Sequence, residues 1–155
     1  MRTIRFVGLE SLVGKMDRLE RGMRGEDVAA SLYAGALVLE GEAKMQVEQV
    51  GAVDTGFLLN SIYATSKAGS TYDRRAGEAK AQADRGMEPE LTVGPRQAAV
   101  VAGAEYAIYV EYGYTRGSTH VGARPFMRNA ADARQGDAVR AVERELDRRI
   151  ARHGL

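Results

Sequence analysis

A chain of 155 residues with 45% hydrophobic and 28% charged residues has the size and composition of one globular domain with a buried core. The absence of cysteine excludes disulfides, thiolate zinc sites and cysteine nucleophiles. A formal net charge of +1 gives no overall attraction to nucleic acid or anionic lipid. No apolar run approaches the roughly 20 residues that cross a bilayer, so we expect no membrane partner.

The N-terminal half is predicted to be mainly helical. Residues 1–7 alternate polar with apolar side chains and predict a first strand, without the apolar stretch of a signal peptide. Residues 9–21 predict a helix, which Gly22 and Gly25 interrupt. From residue 26 to about residue 50 a long amphipathic helix is predicted, because apolar residues recur there every three or four positions: Val28, Leu32, Ala36, Leu39, Ala43, Val47 and Val50. Gly51 stands where a C-terminal cap is expected.

The middle of the chain predicts strands. Residues 54–67 indicate a capped helical turn followed by a strand at 62–65. Residues 91–94 and 98–102 predict two more strands, separated by a turn at Gly94 and Pro95, so an antiparallel meander is expected. Residues 69–90 have no sustained apolar period and predict a long exposed excursion.

The C-terminal part predicts a short helix over 105–112, a polar loop over 113–124 and a last helix that opens at Pro125. Gly136 is expected to kink or break that helix, whose apolar side consists of Phe126, Ala130, Ala138, Val142, Leu146 and Ile150. The expected fold is a single α+β domain over residues 1–155. In it, a mainly antiparallel sheet of about four strands packs against the long helix of the N-terminal half and the C-terminal helix.

One triplet, Asp54-Thr55-Gly56, is the sequence with which aspartic proteases present a catalytic carboxylate. In the dimeric enzymes two such carboxylates share a proton across the dimer axis. Here the triplet follows a predicted helix instead of a strand, and bulky Phe57 comes next. The structural alternative is that Asp54 caps the following helical turn and Gly56 permits tight packing.

No pattern for a metal or cofactor is present, so we expect neither. His120 and His153 are too far apart in sequence to be metal ligands one helical turn apart, and the glycines of 113–124 do not form a phosphate-binding pattern.

The last helix alternates arginines with acids, which favours a solvated or subunit-contacting face over a nucleic-acid-binding face, although the latter stays open. The arginines are Arg124, Arg128, Arg134, Arg140, Arg144, Arg148, Arg149 and Arg152, and the acids are Asp132, Asp137, Glu143, Glu145 and Asp147. Four tyrosines, Tyr106, Tyr109, Tyr112 and Tyr114, predict interface anchors more than base-stacking groups.

Three blocks in order resemble the head-tail joining family of long-tailed bacteriophages, which includes neck, tail-completion and minor tail components. They are residues 53–62 (VDTGFLLNSI), 101–113 (VAGAEYAIYVEYG) and 123–130 (ARPFMRNA). The motif residues are Asp54, Thr55, Gly56, Ser61, Ile62, Tyr106, Ala107, Glu111, Tyr112, Gly113, Pro125 and Phe126, and the candidate interface residues are Tyr109, Tyr114, Arg124 and Arg128. Two departures from the family pattern are Tyr114, which stands between Gly113 and Thr115, and the length of 69–90.

The resemblance implies a non-enzymatic virion subunit without a cofactor, assembled as a ring around the DNA channel. Six copies would match the symmetry of a tail and twelve that of a portal, and the partners would be neighbouring neck, connector and tail proteins, with passive contact to the DNA. The implied location is the virion, and we expect synthesis in the host cytoplasm. Two alternatives remain: a nucleic-acid-binding accessory protein that uses the arginine-rich helix, and a dimeric aspartic protease that uses Asp54.

Overall fold

A computed structural model of the protein describes residues 24–52, 56–72 and 86–153. The predicted strand over 1–7 and helix over 9–21 lie outside the described residues, as do Asp54 and Thr55. The architecture within the described part is α+β, with two long helices packed together beside a small antiparallel sheet.

Helix α1, Gly25–Gln49, confirms the predicted long helix. At its start the backbone N–H of Arg24 donates to the Asp27 carboxylate (3.3 Å). At its end Gly51 adopts φ +64°, and the N–H of Ala52 donates to the carbonyl of Val47 (3.0 Å), as expected of a glycine-terminated helix. The apolar spacing therefore predicted both the element and its end.

Three further helices follow in the described residues: α2, Phe57–Ser61; α3, Ala107–Tyr112; and α4, Phe126–His153. The predicted short helices and the last helix are confirmed. The predicted break at Gly136 is wrong, because α4 is continuous through this exposed position. A mid-helix glycine costs only about 1 kcal/mol relative to alanine, which the packing of α4 offsets. In the described part of the chain, no helix is both long and apolar enough to cross a membrane.

Helices α1 and α4 approach closely at Gly35. A Cβ atom there would lie 2.6 Å from Cγ2 of Val142 and 3.0 Å from the carbonyl oxygen of Ala138. Beside this point the two helices bury a small apolar cluster: Val28, Leu32, Val142 and Leu146. Because a side chain at Gly35 would push the helices apart, this glycine sets their separation.

A polar contact between the same helices was not predicted. Arg149 of α4 turns inward, and its Nη1 donates to Oδ1 of Asp27 (2.9 Å), while its Nε donates to Glu145 (2.7 Å). The hydrogen bond to Asp27 raises the pKa of Arg149. An arginine of the C-terminal helix thus helps to hold α4 against α1 through an ion pair.

The main sheet consists of β1, Ile62–Ser66; β2, Gly69–Ser70; and β3, Ala98–Ala102, in the order β2-β1-β3. The predicted strands over 62–65 and 98–102 are confirmed and pair antiparallel, with Ile62 opposite Ala102. One face of the sheet, including Ile62, Ala64 and Val100, packs on α1 in the main core, where Phe126 is fully buried. The other face buries Tyr63, Ala99 and Val101.

The predicted strand over 91–94 is wrong. This segment has no ladder partner in the described residues; Leu91 and Val93 pack on the outer face of the sheet. The N–H of Leu91 donates to the hydroxyl of Tyr63 (2.9 Å), so a side chain takes the place of a strand partner. The third strand is instead the two-residue Gly69–Ser70, inside the segment predicted to be an exposed excursion.

Both described ends of the segment predicted as an exposed excursion, 69–90, are bonded to the rest of the fold, and their residues are exposed or half-buried. The hydroxyl of Thr71 donates to the buried carboxylate of Glu40 and accepts from the N–H of Ala64, each at 2.8 Å. At the other end Met87 forms a β-bridge with Ala104. The middle, residues 73–85, lies outside the described residues.

The predicted polar loop over 113–124 contains a hairpin, in which β4, Tyr114–Arg116, pairs with β5, Thr119–Val121. Gly117, the first residue of the two-residue turn at 117–118, has φ +60°. A two-residue turn that begins with glycine is typical of a β-hairpin. The described sheets are therefore one of three strands and one of two, rather than a single sheet of about four strands.

Candidate contact surface at the start of the C-terminal helix

The three motif blocks meet in one region of the core. Phe57, Leu58 and Ile62 from the first block pack in the same cluster as Ala107 from the second and Phe126 from the third. Ser61 joins the first two blocks: its buried hydroxyl donates to the carbonyl of Leu58 (2.7 Å), and its own carbonyl accepts from the N–H of Gly103 (3.0 Å). Residues that are far apart in sequence thus form one packed unit.

The turn before α2 depends on Gly56, which adopts φ +75°. Its carbonyl accepts both the backbone N–H (3.0 Å) and the side-chain amide (2.8 Å) of Asn60, which closes the helical turn. The left-handed conformation explains the glycine at this position. The cap and the protease role considered for Asp54 stay predictions, since Asp54 and Thr55 are outside the described residues.

Glu111 caps the C-terminal helix from another element. Its carboxylate is only 6% exposed and accepts the backbone N–H groups of Met127 (2.9 Å) and Arg128 (3.0 Å) in the first turn of α4. Residue Pro125 before the helix has no side chain that could accept these bonds, and the first turn of α4 contains no acid. A buried negative charge at the positive end of the helix therefore ties α3 to α4.

Gly113 directs the chain from α3 into the hairpin. It has φ +71° and ψ 176°, a conformation that is essentially confined to glycine. A Cβ atom would lie 2.6 Å from the carbonyl oxygen of Val121 and 2.7 Å from the nitrogen of Ala123. The Glu-Tyr-Gly motif thus combines the cap of α4 with the turn that returns the chain beside α3.

Arg124 joins this region to the end of α1. Its backbone N–H donates to the carbonyl of Val110 (2.8 Å), and its Nη1 donates to the carbonyl of Gly51 (3.0 Å). The residue is otherwise exposed, so it holds the hairpin in place while remaining accessible.

An exposed apolar surface lies on the outside of this unit, and we call it the tyrosine surface: Ile108, Tyr109, Tyr112 and Tyr114. Tyr109 is 55% exposed, and its ring meets that of Tyr114 edge-on at 5.8 Å. The guanidinium of Arg128 lies 5.6 Å from the centre of the Tyr112 ring, a cation–π distance. Of the four residues predicted as an interface, Tyr109 and Tyr114 contact each other, Arg128 lies beside Tyr112, and the side chain of Arg124 extends to Gly51 at the end of α1.

Tyr106 does not belong to this surface, although the sequence grouped it with the other tyrosines. It is half-buried, and its ring stacks on Phe57 with the centres 6.1 Å apart. Tyr106 precedes the first residue of α3, Ala107, which is buried, and it packs against the main core beside that residue.

Acids neutralise many arginines of α4. Asp137 pairs with Arg140 and with Arg134 (3.1 Å), and Glu145 pairs with Arg148 and with inward-facing Arg149. The hydrogen bond from Arg140, with the charges nearby, lowers the pKa of Asp137. The sequence predicts ion pairs spaced by four residues along this helix; ion pairs are present, but only Glu145–Arg149 has that spacing and the other three are spaced by three residues.

Histidines and carboxylates form no metal-binding arrangement in the described part of the chain. His120 stands in the hairpin, where its Nδ1 is 3.0 Å from the hydroxyl of Thr115 across the strand pair. The side chain of His153 lies outside the part of the chain that the structure describes.

A second exposed apolar surface escaped the sequence prediction. On the outer face of α1, Leu37 is 41% exposed and Met45 is 50% exposed, with Gly41 between them. The available signal was that both apolar residues fall outside the series that predicted the buried face of α1.

No protein-family model, curated protein or solved structure matches the chain. Its function is therefore inferred from the residues, the geometry described above and the resemblance of the three blocks.

Proposed function

We propose that this protein is a structural virion subunit, not an enzyme, that forms a ring at the head–tail junction of a long-tailed bacteriophage. It would act as a neck or tail-completion component that joins the capsid connector to the tail. One observation carries the proposal: the three blocks that resemble the joining family meet in one unit, and this unit presents the tyrosine surface to solvent.

The tyrosine surface has the chemistry of a subunit contact. Aromatic residues and arginine are enriched in the central parts of protein interfaces. Here Tyr109, Tyr112 and Tyr114 are exposed on a six-residue helix and the strand that follows it, and Arg128 of α4 lies beside Tyr112.

The surface is also rigidly supported. Glu111 bonds its helix to the start of α4, and Arg124 bonds the returning chain to Val110 and Gly51. A preorganised patch loses less conformational freedom on binding, so the same contacts give a tighter association.

The alternative of a nucleic-acid-binding protein draws less support from the charges of α4. Arg134, Arg140, Arg148 and Arg149 all have carboxylate partners within the subunit. Such a protein would bind DNA with an affinity that falls steeply with salt. The ring proposal allows only weak, passive contact with DNA in the channel, so anisotropy titrations of labelled duplex DNA in rising salt separate the two.

The ring proposal is tested by the mass of the purified protein in multi-angle light scattering, alone and mixed with the connector, neck and tail-tube proteins of the same genome. We expect a closed ring, with six copies favoured and twelve also compatible, or a monomer that becomes a ring on mixing. A stable dimer that ignores these partners would contradict the proposal. Peptidase activity lost on Asp54→Asn, with folding retained, would then support the protease alternative.

A further inference from the structure

All large apolar side chains that are exposed in the described residues fall on two surfaces. One is the tyrosine surface. The other we call the α1 stripe: Leu37, Gly41 and Met45, spaced by four residues along the outer side of α1. Residues four apart share one side of a helix, so these three form a continuous strip opposite the side that faces the core.

The two surfaces have flanking charges of opposite sign. Arg116 and Arg128 are exposed beside the tyrosine surface, against one exposed acid, Glu105, just before α3, while the acid of α3 itself, Glu111, is buried beneath the helix. The α1 stripe ends at exposed Glu48 and has no basic residue in its last turn.

The basic residue of α1 itself is neutralised within the subunit, and the guanidinium of Arg124 lies beyond the end of the helix, at the carbonyl of Gly51. The Nζ of Lys44 donates to the Glu40 carboxylate at 2.6 Å. The α1 stripe therefore offers an apolar strip with an acidic end, which complements an aromatic patch with a basic rim.

The two surfaces also lie apart on one subunit. Arg124, at the edge of the tyrosine surface, bonds to Gly51 just beyond the end of α1. Leu37 is fourteen residues before Gly51, or about 20 Å away along the helix axis at roughly 1.5 Å per residue. A single neighbour that covers one surface thus leaves Leu37 free for a different neighbour.

Contact of either surface with a second copy of itself would bring together flanking charges of mostly the same sign. Contact between unlike surfaces matches opposite charges instead.

From these observations we infer that the tyrosine surface of one copy docks on the α1 stripe of the next copy. This inference rests on the proposed ring and names its contact. Since every copy has one of each surface, the contact is heterologous, and it generates a closed ring when the rotation per subunit is fixed.

The inference is tested with two single variants, Tyr109→Asp and Leu37→Asp, each of which places a charge on one of the two exposed surfaces. Each variant alone should fail to form the ring, because every contact in it would contain one damaged surface. An equimolar mixture should form a dimer of one copy of each, since the intact stripe of one can bind the intact tyrosine surface of the other. Arg144→Asp, at an exposed position on α4, should assemble like the wild type.

Light scattering of the same samples, with the neck partners where the wild type needs them, decides the outcome. Assembly of Leu37→Asp like the wild type would overturn the inference and leave the ring intact; residues 1–23 or another protein would then be the occupants of the α1 stripe. A wild type that forms no ring with any partner would overturn the proposed function itself. A mixture that forms no dimer would also overturn the docking.

Folding is checked by thermal melting, with Met45→Asp and Tyr114→Asp as the second pair if a first variant melts early. Because the native chain has no cysteine, Met45→Cys in the Tyr109→Asp copy and Tyr114→Cys in the Leu37→Asp copy allow a weak dimer to be trapped with a short bismaleimide. Failure to trap a dimer in the mixture would contradict the inference even if the dimer is too weak for light scattering.

Discussion

The carboxylate of Glu111 offers a direct measure of how strongly α3 is held to the C-terminal helix. Its two oxygens accept the N–H groups of Met127 and Arg128 at 2.9 and 3.0 Å. Hydrogen bonds to a charged group contribute about 1.5–3 kcal/mol each, and burial of the carboxylate opposes part of this. We therefore expect Glu111→Ala to lower the free energy of unfolding by about 3–4 kcal/mol.

Glu111→Gln separates the charge from the shape of the side chain. The amide oxygen can still accept one N–H group, but the amide nitrogen would face the other N–H, and two donors cannot bond. One unsatisfied buried group costs about 1–3 kcal/mol, so the expected loss is about 2 kcal/mol. Both losses are large beside a total stability on the order of 5–15 kcal/mol.

Urea unfolding followed by circular dichroism measures these differences. With a slope of about 2 kcal/mol per molar urea, the alanine variant should unfold at roughly 1.5–2 M lower urea than the wild type. Hydrogen exchange should show lost protection at the amides of Met127 and Arg128. Glu143→Gln, at a half-exposed position on α4, is the matched control and should change stability by less than about 0.5 kcal/mol.

Equal stability of Glu111→Ala and the wild type would refute the role of this carboxylate as the cap of α4. Equal losses in the glutamine and alanine variants, with protection retained at both amides, would show that packing of the side chain matters and its oxygens do not.

Further predictions concern positions where the backbone or a buried hydroxyl decides the outcome. Gly35→Ala places a Cβ atom 2.6 Å from a side chain of α4 and should destabilise the protein by about 1–3 kcal/mol. Gly136→Ala, at an exposed position in α4, should stabilise it by about 0.5–1 kcal/mol. Thermal melting temperatures that shift in the same direction for both variants would contradict this. Gly113→Ala should cost about 3 kcal/mol, because it combines a strained conformation with a backbone clash, and an unchanged urea midpoint would argue against that geometry. Burial raises the pKa of Tyr63 above its ordinary value of 10.0, so its phenol contributes stability that is complete below pH 10.0 and is lost as the pH rises through the raised folded value. Tyr63→Phe should therefore lose less stability than the wild type between about pH 8 and pH 11, and parallel pH profiles in urea unfolding would exclude this contribution.

Apolar periodicity was enough to predict the main elements. The spacing of three or four residues indicated α1 and α4, and short runs of branched residues indicated β1 and β3. Glycine at position 51 marked the end of α1. These features depend on contacts between near neighbours in the chain or on one face of one element, which a sequence pattern records directly.

Other elements depended on partners that a pattern does not reveal. Residues 91–93 have the composition of a strand, but the hydroxyl of Tyr63 accepts the N–H of Leu91, and β1 pairs directly with β3. The sequence pattern did not predict the hairpin of β4 and β5, because its residues are polar and exposed, although its Gly-Ser turn is typical of hairpins.

The candidate contact surface depends partly on features that the sequence shows and partly on the tertiary structure. The sequence by itself grouped Tyr109, Tyr112 and Tyr114 with Tyr106 as interface anchors, because clusters of aromatic residues often serve that role; it did not predict Ile108. Only the tertiary structure could turn Tyr106 inward, expose Leu37 and Met45, and bury Glu111 beneath the start of α4. Whether a charge is solvated or bonded to a distant helix depends on which elements meet in space, and that is determined by the packing of the whole chain.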